Sequence, residues 1–152
     1  MAHKQKGVAI VEFALILPLL LILSFITIEF GRSLYQYNTI AKSVRDAARY
    51  LSTQDPTIVT TDPGKVTIAK NLVVYGNPSG MGSPLTIGLA LSQVPAPTWQ
   101  TSGSNPSINA VTIRVTGYKF HLFISSAFGV SIGDKFGDIP FADISATMRC
   151  QS

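Results

Sequence analysis

Charge is scarce in this chain. Asp, Glu, Lys and Arg make up 13% of its 152 residues, about half the share of an ordinary soluble domain, roughly 25%. The deficit is local, because between Val8 and Ile28 the only ionisable side chain is Glu12. One long uncharged run followed by a normally mixed remainder reads as an anchor plus one small domain, and the length leaves no room for a second. Cysteine is almost missing as well. Cys150 stands alone, which excludes an intramolecular disulfide and a zinc site built from cysteines. A buried small hydrophobe, a free thiol and an intermolecular bridge remain, and the first is the expectation. Histidine is equally sparse: His3 and His121 only.

The formal charge of +4 is a weak pointer to nucleic acid. Lys4 and Lys6 lie in the first seven residues, and without them the balance is ten basic against eight acidic side chains. The rest are dispersed except for Lys42, Arg45 and Arg49, and no aromatic–basic interleaving provides a base-stacking surface. No nucleic-acid partner is expected.

A basic tip precedes the apolar run, so a secretory signal peptide has to be considered. Apolar character continues from Val8 almost to Phe30, longer than the roughly 7–15 residues of a signal core, and no small-x-small cleavage site follows it. A spanning helix fits better. Residues 8–31 would extend about 36 Å at roughly 1.5 Å per residue, enough for a hydrocarbon core of about 30 Å. Glu29 and Arg32 fall three residues apart on one helical face and form the expected ion pair at the water boundary, worth about 0.2–0.5 kcal/mol. Glu12 either marks the inner edge of the span or has a functional partner. A carboxylate within an apolar segment is costly enough to favour the second. Pro18 should bend or loosen the helix near its middle.

Lys6-Gly7 followed by Val8-Ala9-Ile10-Val11-Glu12-Phe13 resembles a class III prepilin leader with its processing site. The longer string, through Pro18 and on to Ile28-Glu29-Phe30-Gly31-Arg32, is similar to the TadE-like branch of the tight-adherence (Flp) pilus system, whose members are minor pilin-like proteins. The Ser145–Arg149 stretch also resembles TadE-like C-termini. The resemblance implies that a prepilin peptidase cuts after Gly7, so that His3 leaves with the leader and Val8 becomes the N-terminus. Glu12 would then be the carboxylate needed for processing or assembly. It lies one helical turn from the new Val8 amine, or opposite that amine on a neighbouring subunit, and pairing offsets the desolvation of both charges. Phe13, where major Flp pilins carry tyrosine, favours the minor branch. The stretch 55–109 adds little to the likeness.

Beyond the span, Leu34, Tyr37, Ala41, Val44, Ala48 and Leu51 recur at three- and four-residue steps. They predict a continuing helix with an apolar seam packed on its own domain and ended by Asp55-Pro56. A second helix is predicted at Pro63–Tyr75, with Asp62 as N-cap, Pro63 at the first position, Gly76 at the C-terminal cap, and Val66, Ala69 and Val73 on its apolar edge. The Gly-rich segment 77–84 is a turn, since it lacks the lysine and Ser/Thr of a phosphate-binding loop. Val111, Ile113 and Val115 alternate with polar residues in a strand extending toward Phe120. Phe141–Met148 alternates likewise, and Leu85–Val94 is a weaker strand candidate. Asp134, Lys135 and Asp138 lie in a glycine-rich connection that lacks the spacing of a calcium loop. With one lone histidine after processing and no recognisable nucleophile–base or metal motif, no catalytic, cofactor or metal residue is assigned and enzymatic activity is not expected.

The expected fold class is α+β: a long N-terminal transmembrane helix running into a small domain with a second helix and a short antiparallel sheet. The organisation would be leader 1–7, transmembrane helix 8–31 and extracytoplasmic domain 32–152. The resemblance further implies a pseudopilin of pilus biogenesis, adhesion or secretion, single-pass in the bacterial inner membrane with its C-terminal domain outside the cytoplasm. Its partners would be the membrane, the prepilin peptidase, other pilin-like subunits in a homo- or hetero-oligomer, and the assembly platform. The rival is an uncleaved signal-anchored envelope protein whose outer domain binds a ligand or partner.

Overall fold

The computed structural model describes residues 4–55, 62–104, 107–123, 126–127, 130–131 and 137–150. Helix α1 spans Lys4–Ser52 and continues through Pro18. Proline there has no N–H for the Ala14 carbonyl, yet the helical assignment is unbroken on both sides. Hydroxyls within the apolar run are satisfied inside the helix: Ser24 Oγ donates to the Leu20 carbonyl and Thr27 Oγ1 to that of Leu23, each at 2.8 Å, as an apolar environment requires.

Helix α2, Pro63–Tyr75, has the predicted ends. The Asp62 carboxylate accepts from the Gly64 N–H, Pro63 opens the helix, and Gly76 closes it at φ 71°, with its N–H bonded to the Leu72 carbonyl. The strands follow in chain order: β1 Thr98–Ser102, β2 Ile108–Val115, β3 Lys119–His121, β4 Ser126–Ala127, β5 Val130–Ser131, β6 Asp138–Pro140 and β7 Ile144–Arg149. A three-stranded antiparallel sheet has the order β1-β2-β7, while β3 pairs with β6 and β4 with β5. The fold is therefore α+β, with a long apolar helix, a second helix and a small antiparallel sheet.

Strand β2 is central, and its alternation is the cleanest. Val111, Ile113 and Val115 are buried, and their register partners Met148, Ala146 and Ile144 share that face. The opposite face is polar, with the Thr112 and Thr147 hydroxyls bonded across the strands at 2.7 Å. The apolar face meets the upper part of α1 (Ile40, Val44, Ala47, Ala48, Leu51) and α2 (Ala69, Val73, Val74) in one core. Cys150 lies there as a buried free thiol, and burial pushes its pKa up.

Four expectations are corrected. The seam of α1 holds at Val44, Ala48 and Leu51, which are buried, with Ala41 packed against the core, but fails at its lower end: Leu34 and Tyr37 are 47% and 45% exposed, whereas Gln36, Ile40 and Ser43 are buried. Polar residues disguised the inward face. Gln36 accepts from the Tyr118 hydroxyl, and Ser43 Oγ donates to the Ile40 carbonyl at 2.9 Å. Leu85–Val94 is no strand but an irregular segment with a 3-10 turn at Leu91–Gln93. It is docked by the Leu85 N–H on the Val74 carbonyl and buries Leu89 and Val94 individually. The strand expected to reach Phe120 breaks after Val115, and Gly117 at φ 66° turns the chain before β3. Likewise Phe141, Ala142 and Asp143 precede β7 without joining it. Pro56, Asp134 and Lys135 lie outside the described residues.

Candidate functional site

The N-terminal half of α1 forms one continuous surface. Val8, Ile10, Val11, Phe13, Leu15, Leu19 and Leu23 are each more than half exposed, and no residue of the apolar window is buried by the rest of the chain. Helical geometry places Gly7 and Val8 one turn before Glu12 along this surface. Glu12 is exposed, and a side chain added at Gly7 would meet nothing within 4 Å. The segment is long and apolar enough to cross a membrane. The residues singled out as Gly7, Val8 and Glu12 thus share an unpacked helix, and the folded domain contributes nothing to them.

The second constellation, Glu29 and Arg32, has a different setting. Arg32 Nη2 donates to Glu29 Oε2 at 2.7 Å. Glu29 is buried to 8% exposure, and its other oxygen, Oε1, accepts from the Phe123 N–H at 3.2 Å, across 94 positions of sequence. Arg32 also donates to the His121 carbonyl. Its guanidinium lies 4.4 Å from the Phe120 ring centroid and 3.9 Å from that of Phe123, a cation–π arrangement. The pair is therefore not the solvent-exposed i,i+3 pair expected from spacing. It is a clasp that ties the end of the apolar helix to the β3–β6 hairpin. The physical difference is that a carboxylate with two donors in a nearly dry setting cannot be released to water without leaving both unsatisfied.

Above the clasp an aromatic column continues along α1. Phe141 contacts Phe120 (6.1 Å, stacked), Tyr118 (5.5 Å) and Tyr37 (5.9 Å, edge-on). The Tyr118 hydroxyl lies 2.7 Å from Gln36 Oε1 and 2.9 Å from the Ile87 carbonyl, so one proton joins the helix, the residue that leads into β3 and the irregular segment. Burial raises the Tyr118 pKa above its ordinary value. His121, at the end of β3, has Nδ1 2.6 Å from Asp138 Oδ1. Asp138 thus makes a cross-strand contact with its register partner. Among the described residues no group of three or more His, Cys, Asp or Glu side chains is placed to hold a metal. Sequence reasoning missed Phe120, His121 and Phe123 because their link to α1 exists only once β3 has folded back onto it.

The described residues thus combine one N-terminal helix, long and apolar enough to anchor a protein in a membrane, with a small α+β domain. Residues 7–49 match the family model described as TadE-like protein, the family whose N-terminal pattern the chain resembles. The match covers α1 and stops before α2, so it does not include the C-terminal strand. No curated protein and no solved structure matches the chain.

Proposed function

We propose that this protein is a minor pilin-like, non-enzymatic subunit of a tight-adherence pilus or its assembly platform. It would be processed by a prepilin peptidase after Gly7 and would act through its anchor helix. The observation that carries this reading is the coincidence of the TadE-like match with an α1 that buries nothing below Glu29. A helix that leaves its apolar side chains to other molecules is built for lipid and for neighbouring helices. Cleavage would leave an ammonium group on Val8 one turn from Glu12. In an apolar layer the two charges are tolerable only together, within one chain or between neighbours. The domain would lie outside the cytoplasm, above the inner membrane.

The test is N-terminal sequencing of the protein extracted from membranes. Val8 at the N-terminus supports the reading. Met1 or Ala2 supports the uncleaved signal-anchored alternative, in which the domain binds a ligand or envelope partner. Gly7→Leu should abolish cleavage, because a branched side chain blocks close approach of the peptidase to the backbone; unchanged processing would refute the leader assignment.

A further inference from the structure

We propose that the β3–β6 edge of the domain, with Phe123 just beyond β3, is seated in the headgroup layer of the bilayer that α1 crosses. This rests on the spanning reading of α1. The first argument is height. From Val8 to Glu29 the helix rises about 32 Å at roughly 1.5 Å per residue, close to a hydrocarbon core of about 30 Å. The uncharged run also ends at Ile28, so the outer boundary falls at the level of Glu29. The clasp then fixes what else lies at that level. Glu29 binds the Phe123 N–H and Arg32 the His121 carbonyl, which holds the β3 end of the domain beside the boundary and not above it on a stalk.

The side chains at this level suit that layer. Phe123 is 72% exposed although it is a large apolar ring, and Arg32 lies over it, a cation–π contact that sets a charged head beside an apolar ring, as an interfacial layer accommodates. An almost wholly apolar groove of about 140 Å³ lies between Ile26 and Phe30 of α1 and Phe120, Leu122 and Ile139 of the domain. Ile26 and Phe30 are 44% and 64% exposed and belong to the same surface as the spanning segment. The groove is therefore a continuation of the surface that faces lipid, carried up under the hairpin.

The experiment uses the full chain with Cys150→Ser, which leaves single cysteines to be introduced by Leu19→Cys, Phe123→Cys or Met81→Cys. Each is nitroxide-labelled, reconstituted in nanodiscs of phosphatidylcholine and phosphatidylglycerol, and read by electron paramagnetic resonance. The measured quantity is the ratio of collision rates with oxygen and with a water-soluble nickel chelate. Leu19, about 16 Å up the helix from Val8, reports the bilayer interior; Met81, 76% exposed beyond α2, reports water. The ratio at position 123 should lie between them and several-fold above that at 81. A deep label at 19 with position 123 as aqueous as 81 overturns the inference and leaves the spanning reading intact. A label at 19 as aqueous as that at 81 overturns both. Because Phe123→Cys removes the ring, Phe123→Trp in a Trp99→Phe chain is measured alongside. Quenching by lipids brominated near the glycerol level is expected, and no quenching refutes the seat.

Discussion

Glu29→Gln is the perturbation that best distinguishes the clasp from an ordinary surface ion pair. Gln keeps the length of the side chain and can still accept from the Phe123 N–H, but it presents no charge to Arg32. A hydrogen bond to a charged group contributes roughly 1.5–3 kcal/mol and a neutral one about 0.5–1.5, so the exchange should cost about 1–1.5 kcal/mol. Screening reduces this little, since the Glu29 and Arg32 side chains are only 11% and 19% exposed. Glu29→Ala removes the acceptor from both Arg32 and the Phe123 N–H. Breaking a buried pair costs roughly 3–5 kcal/mol, and Arg32 keeps the His121 carbonyl, so about 2–4 kcal/mol is expected. The assay is urea unfolding of the full chain in mild detergent micelles, followed by fluorescence of Trp99, the single tryptophan. With a slope of roughly 1–3 kcal/mol per molar urea, Glu29→Gln should lower the midpoint by about 0.3–1.5 M. A loss below about 0.5 kcal/mol for both variants, the value of an exposed i,i+3 pair, would refute the clasp as a fastening of the domain.

Two further outcomes are expected. Glu12→Gln should leave membrane insertion intact, since it removes a charge from an apolar segment, while incorporation into sheared pili or a co-purified assembly complex falls and Glu12→Asp is intermediate; normal cleavage with normal incorporation of Glu12→Gln would remove any assembly role for this carboxylate. Tyr118 gives the fold an alkaline limit: its folded pKa is raised by burial, so the native state holds the proton more tightly than the unfolded chain. Its contribution is complete below about pH 10 and is lost as pH rises through the folded value. Tyr118→Phe should cost about 1–2 kcal/mol at neutral pH and flatten the decline above pH 10, and a parallel decline in the variant would show that other groups cause it.

The candidate site was legible in unequal parts. Gly7, Val8 and Glu12 stand out because their signal is local: a basic tip, a glycine, and one carboxylate in an apolar run. Glu29 and Arg32 were legible as a pair and misjudged as to setting, because helical spacing fixes who is adjacent on α1 but not what descends onto them. Strand β1 was missed for a related reason. Thr98–Ser102 is an edge strand with one half-buried side chain, Trp99, so it lacks the alternation that marks β2.

By itself the sequence determined the elements whose causes lie within a few residues. The apolar run makes α1 a membrane-length helix, Asp62, Pro63 and Gly76 delimit α2, and alternation at Val111, Ile113 and Val115 makes β2 a half-buried strand. Tertiary structure decided the lower end of the inward face of α1, because Gln36 becomes acceptable there only when the Tyr118 hydroxyl supplies its hydrogen bond. It likewise decided that Glu29 and Arg32 clasp the hairpin, since their partners at positions 121 and 123 are brought back to α1 by Gly117, β3 and the aromatic column. Local propensity acts over one helical turn or one strand; contacts across some ninety residues form only when the whole core has closed.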